Sequence, residues 1–136
     1  MIIDCHAHLV PPSLLEAIRT QATGFPSIRV IDQDGSIGFS FAGGKPTRPV
    51  SKLLSDLTGR LKWMDEQKID RQVNGAWVDM FGYEVPAEEG ARWSRLINTH
   101  LAQQARLFRS PRCRFSMVSL PPRCCARRTL QVSKVP

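Results

Sequence analysis

Residues 2–9 read Ile-Ile-Asp-Cys-His-Ala-His-Leu, a short Ile-rich run with two histidines two positions apart, closed by Pro11-Pro12. An apolar run of this length ended by prolines reads as a buried strand feeding a turn. Alternation along a strand puts Asp4, His6 and His8 on one face and Ile3, Cys5 and Ala7 on the other. Two imidazoles at i and i+2 can reach one divalent ion, and two ligand-free histidines in a buried strand would be costly. His6 and His8 are therefore the candidate metal ligands, and Cys5 is expected to be a small core residue. His100, the third histidine, falls in a helical stretch with no ligand neighbour and reads as an ordinary helix residue. A catalytic zinc normally has three protein ligands and one open position, so the pair requires further groups from elsewhere.

The segments that follow narrow the fold. Ser13 is placed to cap a helix over 14–22, with Leu14, Leu15 and Ile18 at helical spacing before Gly24-Phe25-Pro26. Strands at 28–31 and 37–41 flank Asp32-Gln33-Asp34-Gly35, whose Asp-Gly predicts a β-hairpin, here an inserted flap. Leu53, Leu54, Leu57, Leu61 and Met64 predict one amphipathic helix up to Gln67. A second apolar strand over 73–78 precedes a helix over 87–107 that Pro86 opens. The order strand, helix, strand, helix implies parallel strands joined by right-handed crossovers, the unit of doubly wound sheets and (β/α)8 barrels.

Composition separates a body from a tail. The chain has 136 residues, 42% of them hydrophobic, enough for one modest domain. No run approaches the roughly 18 apolar residues of a membrane span, and the start lacks a basic and an apolar leader segment, so a cytoplasmic protein without a membrane partner is expected. The net charge of +7 is confined to one region. Residues 1–105 hold 11 basic and 12 acidic residues, whereas 106–136 hold 8 basic residues and no acid. Cys113, Cys124 and Cys125 also lie in the tail, at spacings that fit neither a zinc ribbon nor a redox pair. A basic tail could bind nucleic acid without specificity, but one aromatic, Phe115, and no helical period disfavour such a partner.

At four places the body resembles the amidohydrolase superfamily, and within it 2-amino-3-carboxymuconate-6-semialdehyde decarboxylase and its relatives. These are Asp4-x-His6-x-His8, Arg48-Pro49-Val50, Met64-Asp65-x-x-x-Ile69-Asp70-x-Gln72-Val73 and Met80-Phe81-Gly82-Tyr83, in the family's order over residues 1–105. The resemblance implies a metal-dependent (β/α)8 TIM barrel with a small hairpin insertion after strand 1, and a carboxy-lyase activity, zinc-assisted non-oxidative decarboxylation of a small-molecule carboxylate. It implies that His6 and His8 bind the metal, that Arg48 binds a substrate carboxylate through its planar fork, and that Phe81 and Tyr83 line the pocket. It further implies a possible homodimer in the intact family. A hydrolase or hydratase of the same superfamily would share the histidine pair, and a non-catalytic barrel fragment that associates with intact subunits would share the body.

The family's later metal ligands and catalytic histidine have no counterpart here, so no catalytic residue is expected in this chain. A complete barrel takes typically about 250 residues, and the chain is expected to supply its first third and to be inactive alone. The stretch 109–117 carries charge on both faces, alternates poorly and is not expected to form a strand; 106–136 is expected to be an irregular basic tail. A shift of reading frame near Phe108 permits Val-Pro-Ile-Ala-Ala-Val-Pro-Leu-Gln-Tyr-Gly, an apolar strand and turn where a barrel needs one. The nucleotide sequence tests this; an early stop codon in the shifted frame would rule it out.

Overall fold

A computed structural model describes residues 1–20, 24–33, 35–107 and 115–117. Its centre is a parallel sheet in the order β1 (Ile3–Leu9), β4 (Arg71–Ala76), β5 (Phe115–Met117), with β4 in the middle. Between β1 and β4 run α1 (Pro12–Thr20), an antiparallel hairpin of β2 (Ile28–Gln33) and β3 (Ser36–Phe41), then α2 (Lys52–Ser55) and α3 (Leu57–Glu66). α4 (Ala87–Leu107) connects β4 to β5. This is the expected mixed α/β alternation with a hairpin after the first strand, consistent with part of an α/β barrel. α4 extends two residues past the compositional boundary at 105.

Three local expectations are corrected. Pro12, whose fixed φ suits the first helical position, starts α1, and the Pro11 carbonyl receives the Leu14 and Leu15 amides, so Ser13 lies inside the helix and caps nothing. The helix expected over 53–67 breaks at Asp56, which takes an extended conformation (ψ 90°) and accepts the Gly59 amide at 2.8 Å, starting α3 afresh. Leu53, on the far side of the break, is 80% exposed, and within α3 only Met64 is buried. The stretch 109–117, not expected to pair, supplies β5, whose Phe115, Ser116 and Met117 register with Gln72, Val73 and Asn74. Ladder bonds join backbone groups, and the free edge of β4 offers them whatever side chains the partner carries. The remainder of the basic tail, and with it most of the proposed frame-shifted stretch, lies outside the described residues.

The core lies at the C-terminal ends of β1 and β4. Leu9, Val10, Leu14, Ile18, Ala76, Met80, Ile97 and Leu101 are all buried there. The hairpin is part of this core and more than a flap: Ile28, Ile37, Phe39 and Phe41 pack into it, and β3 is buried from Ile37 to its end. Trp93 of α4 joins the two halves, its ring 5.3 Å from Phe25, 5.9 Å from Phe39 and 6.2 Å from Phe41. Trp93 Nε1 donates to the Met80 carbonyl at 2.6 Å. Among the described residues no helix is long and apolar enough to cross a membrane.

His100 does behave as a helix histidine, with one addition. Its Nδ1 lies 3.0 Å from Ser13 Oγ, joining α4 to α1, and partial burial lowers its pKa below the ordinary value. A histidine whose folded pKa is depressed binds fewer protons folded than unfolded, so stability rises with pH in this window. Its contribution is complete above the unfolded pKa of about 6.5 and declines as pH falls through it towards the lower folded value. Urea midpoints at pH 7.5 and 5.5 are expected to differ more in the wild type than in His100→Gln. An equal difference in both would remove His100 as the cause.

Candidate active site

The strand that carries the histidine pair is irregular. Asp4 registers with Gln72 and Ala7 with Asn74, so three steps along β1 match two along β4, a β-bulge at Cys5–His6. Partners in a parallel ladder face the same way. Asp4, Ala7 and Leu9 therefore share the face of Gln72, Asn74 and Ala76, while His8, registered with Gly75, faces the other side. Asp4 thus leaves the histidine face on which strict alternation puts it. Its Oδ2 accepts from Gln72 Nε2 at 2.7 Å and its Oδ1 from the His6 amide at 3.1 Å. The extra residue reverses alternation within the strand, which a period of two cannot anticipate.

His6 and His8 remain together. Their ring centres lie 5.0 Å apart with planes at 89°. Two imidazoles bound to one zinc at about 2.0–2.1 Å with tetrahedral angles have centres about 5 Å apart, so the spacing fits a shared ion. His8 Nδ1 lies 2.9 Å from the Ala76 carbonyl, which can only accept, so Nδ1 is the donor and in the neutral ring Nε2 carries the lone pair. A backbone acceptor on the far nitrogen is the usual support of a metal-binding imidazole. The donor set is incomplete: no group of three or more His, Cys, Asp or Glu that could hold a metal occurs among the described residues. β1 is also less buried than a core strand. It is the edge of the sheet, only Leu9 in it is buried, and Cys5 is exposed rather than in the core.

Arg48 is set by the hairpin. The Thr47 and Val50 amides donate to the Phe39 and Ile37 carbonyls at 2.7 and 2.6 Å, laying the segment between Pro46 and Pro49 along β3. From there Arg48 Nε and Nη2 reach Asp79 Oδ2 and Oδ1 at 3.0 and 3.2 Å, with the guanidinium 6.0 Å from the Trp77 ring centre. The bidentate bond and charge of Asp79 raise the Arg48 pKa. An internal carboxylate thus occupies the fork expected to take a substrate carboxylate.

A cleft of about 350 Å³ lies beside this ion pair, lined in part by Phe41, Lys45, Thr47, Asp79, Tyr83 and Glu84. Tyr83 lines it directly, half-exposed. Phe81 meets Tyr83 edge-on at 5.7 Å and packs against the core. Along the segment that leaves β4, His8 meets Ala76, Arg48 meets Asp79 and Tyr83 lines the cleft, with His6 beside His8. A larger hollow of about 400 Å³, lined by Leu53, Asp56, Gly59, Arg60, Trp63 and Gln72, includes none of them.

Two residues beyond those singled out in the sequence take part. Asp79 could have been noticed as an acid immediately before Met80-Phe81-Gly82-Tyr83. Arg60 stands at i+3 from Leu57 and i−4 from Met64, a cation on the apolar stripe of its helix, and that misfit was its signal. Its guanidinium donates to the His8 carbonyl at 2.8 Å, the Leu53 carbonyl at 2.9 Å, Gln72 Oε1 at 2.9 Å and Asn74 Oδ1 at 3.2 Å. Desolvation lowers the Arg60 pKa, opposed by the charge of Asp4.

No protein-family model matches this chain, and none of the curated proteins does. Among solved structures, the apo form of Metarhizium anisopliae IDCase is similar to it with a TM-score of 0.57 and 18% sequence identity. The match covers 90% of this chain and 35% of that one, so the chain spans about a third of its length. A likeness at this identity establishes a common fold.

Proposed function

We propose that this chain carries the first part of a metal-dependent carboxy-lyase site of the amidohydrolase superfamily, built for non-oxidative decarboxylation of an aromatic or aminocarboxymuconate semialdehyde-like carboxylate. The observation that carries the reading is the His6–His8 pair at 5.0 Å, with His8 Nε2 left free by the bond from Nδ1 to Ala76. The four sequence segments that resemble that family and the fold in common with IDCase support it. His6 and His8 would hold the ion, zinc by the preference of imidazole pairs, and a bound zinc supplies Lewis acidity towards a substrate oxygen. Arg48 binds and orients the carboxylate in exchange for Asp79, while Tyr83 walls the cleft and Phe81 backs Tyr83 from the core side. Among the described residues His6 and His8 supply two of the usual three protein ligands, so weak metal binding and no turnover by the chain alone are expected.

Titration of the purified chain with Co(II), followed by visible absorption, tests the metal. Weak binding that disappears in His6→Ala and in His8→Ala is expected; binding unchanged in the double variant sinks the reading. Tight stoichiometric retention of zinc through dialysis, or CO2 release from an aromatic carboxylate by the chain alone, would contradict the incomplete site. The carboxylate pocket has a separate signature. Asp79→Asn frees the Arg48 fork and is expected to tighten benzoate binding measured by tryptophan fluorescence, whereas Arg48→Met abolishes it. Equal affinity in the two variants would remove Arg48 from the role.

A further inference from the structure

We infer that Arg60 is a positioning residue for the histidine pair, acting through the backbone of His8. The inference rests on the reading of His6 and His8 as metal ligands and adds to it a residue that touches neither the ion nor the substrate.

Arg60 stands in the first turn of α3, which Asp56 fixes by accepting the Gly59 amide at 2.8 Å and, through its carbonyl, the Arg60 amide at 3.1 Å. From this anchored position one guanidinium meets four acceptors on three elements. Nη2 joins the His8 carbonyl of β1 to the Leu53 carbonyl of α2, and Nη1 joins Gln72 to Asn74 on β4. Gln72 passes the connection on, its Nε2 donating to Asp4 Oδ2 at 2.7 Å. The bulge at Cys5–His6 is thus held at both ends, at Asp4 through Gln72 and at His8 directly. His6 lies within the bulge and His8 just beyond it, their rings 5.0 Å apart, so contacts that hold the two flanks also hold the ligand spacing.

His8 is in consequence fixed at two points, its carbonyl by Arg60 and its ring by Ala76. A residue chosen only to pack at this place would be apolar, like Leu57 and Met64 on the same stripe. Arg60 instead carries the desolvation of a charge and leaves its Nε buried without a partner among the described residues. A planar fork can span acceptors that diverge from one point, and a single ammonium cannot reach all four.

The test compares wild type, Arg60→Met, Arg60→Lys and Asn74→Leu in the full chain. Asn74→Leu damages the same network without touching the His8 carbonyl. Three readouts are taken: the urea midpoint, Co(II) affinity by visible absorption, and the ¹⁵N shifts of the His8 ring without metal. Loss of a supporting contact behind a metal ligand weakens metal binding on the order of 10- to 100-fold, and Arg60→Met is expected in this range with altered His8 shifts. Arg60→Lys is expected to fall between it and the wild type. Asn74→Leu should lose stability but keep the wild-type affinity and shifts. Arg60→Met with unchanged His8 shifts, or Asn74→Leu with an equal loss of affinity, overturns the inference. Should Arg60→Met fail to fold, Arg60→Lys decides alone, and wild-type shifts and affinity in it are the overturning result. The two levels separate, because a wild type without histidine-dependent Co(II) binding sinks the metal reading, while the ring shifts still report whether Arg60 positions His8.

Discussion

Trp93→Ala is expected to lower the free energy of unfolding by about 3–5 kcal/mol, the usual cost of emptying a buried tryptophan site. Trp93 is 1% exposed and touches Phe25, Phe39 and Phe41, so its removal leaves a void between the hairpin and α4 rather than a notch at the surface. Rigid aromatic neighbours on several sides limit how far the site can collapse. The change also leaves the Met80 carbonyl without the Nε1 donor, at a further cost of about 1 kcal/mol if that group stays buried. Small domains have about 5–15 kcal/mol of stability in all, so the urea midpoint by circular dichroism should fall by a large fraction. Trp93→Phe, which fills part of the void and lacks the donor, is expected between the two. A loss below about 1 kcal/mol in Trp93→Ala would show that the hairpin does not depend on α4 for its place.

Gly82→Ala is expected to cost about 2–4 kcal/mol, from two sources that can be separated. Gly82 has φ +60°, in the left-handed region where a side chain costs roughly 1–2 kcal/mol. A Cβ there would also lie 2.8 Å from Phe41 Cδ1 and 3.3 Å from Val85 Cγ2, and Phe41 is itself packed into the core and cannot simply swing aside. In the Phe41→Leu background the steric part should shrink while the backbone part remains, giving a coupling of opposite sign to the single losses. Additive losses in unfolding experiments would place the whole cost in the backbone. Because Gly82 and Phe41 both line the cleft, benzoate binding should weaken along with stability.

The sequence by itself determined the kind of elements and most of their places. The Ile-rich run at 2–9 and the apolar run at 73–78 give parallel strands, Asp-Gly gives the hairpin, and Pro86 opens α4 one residue later, because each is settled by short-range sterics and local hydrogen bonding. The neighbourhood of His6 and His8 was also legible, since it needs only two residues on a common face of one strand. Which other residues share that face was not: one extra residue in β1 turned Asp4 away, and a bulge is defined by the register with β4, 68 residues away. The break at Asp56 competes with a continuous leucine pattern, and side-chain capping wins locally where only Met64 has a buried place to go. Tertiary structure alone decided that Asp79 fills the Arg48 fork and that Arg60 holds the His8 carbonyl, across 31 and 52 positions of chain. Periodicity reports which face a residue turns inward; which partners meet it there depends on how separate elements are packed, and no local pattern records that.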